Sequence, residues 1–259
     1  MLLIDTSAVV PVSVTRSFCP MNCKHCGGVY LKHMIGVDEM EDYARKGYRT
    51  FLISGGMLRD GSIPFEPFRD DLSRLKKKYD LVYNFHIGFP KDFPEIVEEM
   101  ADVISADFFA NEEVMKEVYG ISRRSDEILE ILLMFSKPVV PHVTIGILCG
   151  KITHEFDSLE ILSKHFDSIV LNVFVPTPGT LYSECDPPKV EEVVEVFKKA
   201  RRMFKKVFLG CMQPRGVYRV KLQNAIFNLV DGITKPVISK PNVNNCCALE
   251  IISQDPSTS

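Results

Sequence analysis

Apolar positions along this chain fall into two alternating rhythms. Short β-branched and aromatic runs recur at residues 9–14, 50–53, 81–85, 103–109, 139–147, 169–175, 207–209 and, more weakly, 233–237, the pattern of buried strands. Between them apolar residues return every three or four positions, the spacing of a helix with one face on a core. The clearest case is 189–204, where Val190, Val193, Val194, Phe197, Ala200 and Phe204 form one stripe with lysines and glutamates opposite. Segments 126–135, 155–165 and 222–230 repeat it, and 37–46 and 94–101 carry a fainter version. Strands in alternation with helices argue for a parallel sheet, because parallel neighbours need crossover connections. Eight strand candidates therefore predict an α/β fold of TIM type, a complete or nearly complete (β/α) barrel.

The chain has 259 residues, 46% of them hydrophobic, enough for one large core at a length that such barrels reach as a single domain. The predicted domain covers residues 1–252 and includes a cysteine-bearing segment around 241–247. The polar run 253–259 has nothing to bury and is read as a flexible tail. No stretch approaches about 18 apolar residues, and the first residues carry no basic leader, so a cytoplasmic protein without membrane contact is expected. A formal charge of −3 gives no reason to expect a nucleic-acid partner. Local basic clusters at Lys76-Lys77-Lys78 and along Lys198, Lys199, Arg201, Arg202, Lys205 and Lys206 read as solvated helix faces, with docking of an acidic carrier as the lesser reading.

Eight cysteines in a chain with no export signal suit a reducing compartment, where thiols stay available as ligands. Three of them crowd into Ser17-Phe-Cys-Pro-Met-Asn-Cys-Lys-His-Cys-Gly-Gly28, directly after the first strand candidate. Cys19, Cys23 and Cys26 make a three-legged cradle for a 4Fe-4S cluster, leaving one iron free of protein thiolate. A zinc site completed by His25 competes with this, but His25 and Cys26 are adjacent and would have to turn to one metal, where zinc prefers separate ligand pairs. In barrels of this class the chemistry gathers at the carboxyl ends of the strands, where this cradle falls.

The x3–x2 spacing resembles the signature of the radical S-adenosylmethionine (SAM) superfamily. The resemblance implies that the open iron chelates SAM, and that reductive cleavage of SAM gives a 5′-deoxyadenosyl radical. It also implies SAM contacts at the following strand ends: Ser54, Gly55 and Gly56 after the second strand, His86 after the third, Asp107 after the fourth, and Ile147 in the fifth-strand segment that lies against adenine. His25 stands where the family usually has an aromatic residue beside the adenine. Met57 replaces the glutamate that usually follows the two glycines, and Asp60 is the nearest acid.

The segment from Asn172 to Thr180, ending Pro-Thr-Pro-Gly-Thr, resembles biotin synthase and its relatives. Late cysteines then point to a reaction class. Cys211 lies in Leu209-Gly-Cys-Met-Gln-Pro-Arg-Gly216, and Cys246 and Cys247 follow the eighth strand. Together they are candidate ligands of an auxiliary cluster, with Cys185 or another group completing it; Cys149 looks structural, and buried free thiols are the alternative. An auxiliary cluster offers sulfide for insertion, as in lipoyl synthase, and the whole order resembles the split, two-subunit kind. That resemblance implies a sulfurtransferase acting on an octanoylated carrier protein or peptide, a second radical SAM subunit and an electron donor such as ferredoxin. Asn172 and Arg215 are the substrate-side candidates. The alternatives are a related enzyme that performs methylation, rearrangement or cofactor assembly without inserting sulfur, and a cluster-carrying electron-transfer module.

Overall fold

The computed structural model describes residues 1–253. Its elements follow in chain order as β1 (Leu2–Asp5), β2 (Val9–Ser13), α1 (Met40–Arg45), β3 (Thr50–Ser54), α2 (Arg69–Tyr79), β4 (Val82–His86), α3 (Glu95–Met100), β5 (Val103–Asp107), α4 (Glu112–Val114), α5 (Ser125–Met134), β6 (Val139–Ile145), α6 (Glu155–Leu162), β7 (Ser168–Val173), α7 (Val190–Met203), β8 (Lys206–Leu209), α8 (Val217–Ile226), β9 (Gly232–Thr234), β10 (Val243–Asn244) and α9 (Cys247–Ser253). The eight predicted strands appear as β2 to β9, and all strand pairs are parallel. Of the tail expected from 253 onward, Ser253 ends α9, and residues 254–259 lie outside the described residues.

Closure is the first correction. The strands form one curled ten-stranded sheet in the order β10-β1-β9-β8-β7-β6-β5-β4-β3-β2, a barrel only partly closed. β1 and β2 are consecutive in the chain, yet β2 ends the sheet order and β1 stands next to its other end, the two joined by the turn in which Val9 N donates to Thr6 O at 3.0 Å. On the open edge of β2, Ile35 makes a bridge to Val12, its amide bonding Pro11 O at 3.0 Å. β1 and β10 carried no local signal, because each is short and pairs with residues far along the chain.

Period-two alternation sorts each strand into a face toward the helices and a face inside the curl. Phe51, Ile53, Tyr83, Phe85 and Ile104 belong to the large core, and Tyr83 donates its hydroxyl to Leu72 O of α2 at 3.0 Å. The inner face is unusually polar in its upper part, with Ser54, Asn84, His86, Ser105, Asp107, His142 and Thr144. Its lower part is apolar: Val103, Val140, Val170 and Phe208 pack on Cys246, Cys247, Ala248 and Ile251 of α9. That helix plugs the curl from the strands' amino ends, secured where Lys206 Nζ donates to Ile251 O at 2.9 Å.

The basic clusters lie on half-exposed to exposed helix surface, as expected, and most of their members are also drawn into surface ion pairs. Lys76 pairs with Asp102, donates to Leu81 O at 2.9 Å and lies 4.7 Å over the Tyr83 ring. Lys78 pairs with Glu41, Lys198 with Glu195, Lys199 with Glu160, Arg201 with Asp231 and Lys205 with Asp167.

Candidate active site at the barrel mouth

The loop from Thr15 to Gly28 crosses the mouth above β2 and is shaped by tight turns. Cys26 N and Gly27 N both donate to Cys23 O, at 3.1 and 2.8 Å, and Gly27 and Gly28 take φ of +48° and +72°, a conformation that costs little only for glycine. The turns gather the three thiols. Cys23 donates to Cys26, which favours the thiolate at Cys26, assisted by His25. The same bond, burial and the neighbouring Cys26 and Cys19 push the Cys23 thiol up.

A cavity of about 230 Å³ opens beneath this loop, lined by Cys19, Cys23, His25, Cys26, Ser54, Gly55, Gly56, His86 and Asp107 among others. Nine of the ten residues expected around the cradle thus share one wall. The diglycine is there for a steric reason: a Cβ on Gly56 would collide with Phe18 O and come within 2.8 Å of Cys19. Thr15 Oγ1 accepts from Gly56 N at 2.6 Å and fixes the two loops together. Ile147, the tenth, has its side chain fully buried in the core and does not line the cavity.

The acid of the pocket is Asp107 and not Asp60. The Asp60 carboxylate accepts from the backbone and hydroxyl of Ser62, at 3.0 and 2.6 Å, and Asp60 does not line the cavity. Asp107 Oδ2 lies 3.5 Å from His86 Nε2. His142 stands behind this pair, its ring 6.0 Å from that of His86, and donates Nδ1–H to Val140 O at 3.0 Å. Burial, then the neighbouring His86, lowers its pKa to about 4, against the opposing pull of Asp107, so the imidazole is neutral near pH 7.

Tyr119, Tyr30, Met34 and Met57 also line the cavity, and of these only Met57 carried a sequence signal. Tyr119 packs its ring edge-on to His25 at 5.2 Å; it lies in a π-helical turn, Met115–Tyr119, that no periodicity marks. Tyr30 bonds Thr177 across the mouth at 2.7 Å. The His25 Nδ1 atom is buried without a partner.

The late cysteines also converge. Cys247 shares hydrogen bonds with both Cys211 and Cys246, which push its thiol up, while the bond from Cys247 lowers Cys211, with Lys235 nearby contributing in the same direction. Cys246 accepts from Asn84 Nδ2 at 3.0 Å, and Asn84 Oδ1 accepts from Ser105 Oγ at 2.9 Å. Asn84 was missed, though it lies two residues before His86 and so shares its face. The second thiol group therefore lies one layer below the cavity. Cys185 is not part of it: a disulfide joins Cys185 to Cys149, their Cα atoms 5.2 Å apart. The expectation that all eight cysteines stay reduced is corrected accordingly. Asn172 Oδ1 accepts from Met212 N at 3.2 Å, holding the turn that carries Cys211, and Arg215 is exposed on the same loop. Among the described residues no three His, Cys, Asp or Glu side chains are arranged for a single metal ion; a cubane distributes its thiolates over different irons and does not demand such convergence. Among those residues no helix is long and apolar enough to cross a membrane.

No protein-family model and no curated protein matches the sequence. Among solved structures the chain is similar to methylornithine synthase, at 12% identity and a TM-score of 0.62 over 93% of this chain and 74% of that one. It is also similar to an HMG-CoA lyase from Acinetobacter baumannii, solved in complex with coenzyme A and 3-methylmalate, at 12% identity and a TM-score of 0.54 over 96% and 77%. At such identity the likeness concerns the fold alone.

Proposed function

We propose that this chain is a radical SAM iron–sulfur enzyme whose cluster is held by Cys19, Cys23 and Cys26. One observation carries the reading: three neighbouring thiols on a glycine-shaped loop, Cys23 bonded to Cys26 and Cys19 close by, form the roof of a cavity whose floor is the ends of successive parallel strands. The donor set fits the group. Three soft thiolates without a fourth suit an iron–sulfur cluster with one open iron, and the residues around it leave backbone rather than side chain against that corner at Gly55 and Gly56. The methylornithine synthase likeness supports a barrel able to house such a site. Bound there, the cluster would supply the electron that breaks the sulfonium bond of SAM and frees a 5′-deoxyadenosyl radical.

The chain's own residues do the positioning. The backbone of Ser54, Gly55 and Gly56 lines the cavity on the side that would take the methionyl end of SAM, and His86, held by Asp107, faces the ribose side. Tyr119 and His25 wall the cavity with ring surface, and Ile63 and Phe89, both buried, help exclude water from a reactive radical.

For the transferred group we infer sulfur, inserted into an octanoyl chain on a carrier protein or peptide, in the manner of a lipoyl synthase working with a second radical SAM subunit and a ferredoxin-type donor. The support is the gathering of Cys211, Cys246 and Cys247 directly beneath the cavity, where an auxiliary cluster would face the substrate carbon. Anaerobic reconstitution should yield close to eight irons per chain, dropping by about four in Cys211→Ala. Incubation with SAM, reductant and an octanoyl-lysine peptide, read by mass spectrometry, should give 5′-deoxyadenosine and a sulfur-containing peptide when the partner subunit is present. Four irons and 5′-deoxyadenosine without sulfur transfer would replace the sulfurtransferase by a radical SAM enzyme of another reaction class. No SAM cleavage under strong reductant would overturn the enzyme reading itself.

A further inference from the structure

Charge on this chain is unevenly placed. Between Cys211 and Asn242 the cations are Arg215, Arg219, Lys221, Lys235 and Lys240, and the sole acid is Asp231, which Arg201 of α7 already occupies at 2.6 Å. Among the described residues none of those five cations is in an ion pair, in contrast to the basic clusters of α2 and α7. Arg219 spends its guanidinium on Pro214 O and Gln213 O, at 3.3 and 2.8 Å. Arg215, Lys221 and Lys240 project from exposed positions.

The same segment exposes apolar surface. α8 buries Leu222, Gln223 and Ile226 but turns Val217 and Val220 outward, 72% and 44% exposed, with Phe227 following at 38%. Positions 217, 220, 224 and 227 recur at three and four residues and therefore lie on one side of the helix. Gln223 extends this surface, because its Oε1 accepts from Val237 N at 2.8 Å and ties the β9–β10 connection to α8 beside the half-exposed Val237. A narrow apolar stripe with the exposed Lys221 on the same helix, in a segment whose cations form no ion pair, is the complement of an amphipathic acidic protein surface. It is too small and too interrupted for a membrane anchor, and its few cations do not form the concentrated basic face that nucleic acid requires.

Place decides what such a partner would deliver. α8 begins at Val217, and the loop before it, 210–216, leaves the carboxyl end of β8 and carries Cys211. A domain seated on the stripe would hold an attached chain next to the opening. We propose that the outer face of α8 is the docking surface for an acidic carrier domain, which presents its acylated lysine to the cavity. The proposal rests on the reading of this chain as an enzyme acting on a carrier-bound acyl group, and its test separates the two.

Fluorescence anisotropy under anaerobic conditions measures binding of an octanoylated carrier domain of net negative charge, without turnover. Wild-type affinity should weaken several-fold between about 50 and 300 mM salt, as expected of exposed charges. The double variant Val220→Asp, Lys221→Glu should weaken it at least tenfold, and Lys221→Gln by an intermediate factor, with unchanged melting temperature. Turnover of a short octanoyl-lysine peptide, too small to reach α8, should be the same in all three. An unchanged affinity in the double variant overturns the proposal, as does wild-type binding of anionic vesicles or RNA, or self-association, that the variant abolishes while carrier binding persists. If the peptide and carrier are both left unmodified by the wild type while the carrier still binds through α8, the docking surface stands and the acyl-transfer reading falls.

Discussion

Single atoms decide the shape of the mouth. Gly56 is the residue at which the diglycine loop and the cysteine loop touch, and the added methyl of Gly56→Ala would meet the backbone of Phe18, which cannot rotate away. The loop must shift, and a displacement of about 1 Å in a reactive site costs on the order of 100-fold in rate. Gly56→Ala should therefore lose SAM cleavage by that order while keeping its fold, as circular dichroism and 5′-deoxyadenosine release will check. His142 makes a second prediction. Its pKa is about 4 when folded against 6.5 as a free group, so between those values the unfolded chain binds more protons than the native one. Stability should then rise with pH through that window and be lost as pH falls from 6.5 toward 4, by up to roughly 3 kcal/mol. Denaturant titrations at several pH values will show this slope, and His142→Gln should flatten it. The sequence made the cradle legible because three cysteines at fixed spacing are informative without any tertiary context. It could not announce Tyr119, whose π-turn has no period, or settle Asp107 over Asp60, since that choice depends on where a loop turns.

Elements were legible in proportion to their periodicity. The stripe of α7 and the β-branched runs of β5, β6 and β7 were plain, while α9 was invisible because its apolar residues fill a bore rather than line a face. α8 was placed a turn and a half late, since its first exposed valines break the expected pattern. The disulfide was missed for a different reason: Cys149 and Cys185 are 36 residues apart and meet only because β6 and β7 are neighbours. It ties the loop after β6 to the segment before α7. That segment reaches the cysteine loop, with Tyr182 N donating to Lys24 O at 3.0 Å. A bridge closing a loop of this size should contribute about 2–4 kcal/mol. Cys149→Ser with Cys185→Ser should lower the denaturant midpoint accordingly, and the wild type should show the same drop when a dithiol reductant is added. A midpoint indifferent to reductant would mean that the bridge is not formed in solution.

Over the whole molecule, an α/β fold of parallel strands followed from the rhythm of the chain, but the degree of closure did not. Alternation counts strands and is silent on whether the first meets the last, a matter settled by pairings such as Leu2 with Gly232. The seam should be visible in amide exchange. β6 and β7 are paired on both sides, whereas β10 has one paired edge and the outer edge of β2 carries only the single bridge to Ile35. Protection factors should be highest across β6 and β7 and lower by orders of magnitude at β10 and the open side of β2, and uniform protection around the sheet would contradict the partial closure.

The pairing of Leu2 with Gly232 also has a history during synthesis. At typical elongation rates roughly 10–50 s separate the emergence of β1 from that of its partner, and for that interval an apolar strand waits with no edge to join. α9 follows later still, so the floor of the bore and two of its thiols arrive after the cradle at the mouth is already built. Assembly of the two thiol groups is thereby ordered in time: Cys19, Cys23 and Cys26 can gather at the mouth while Cys211 still faces an open shaft.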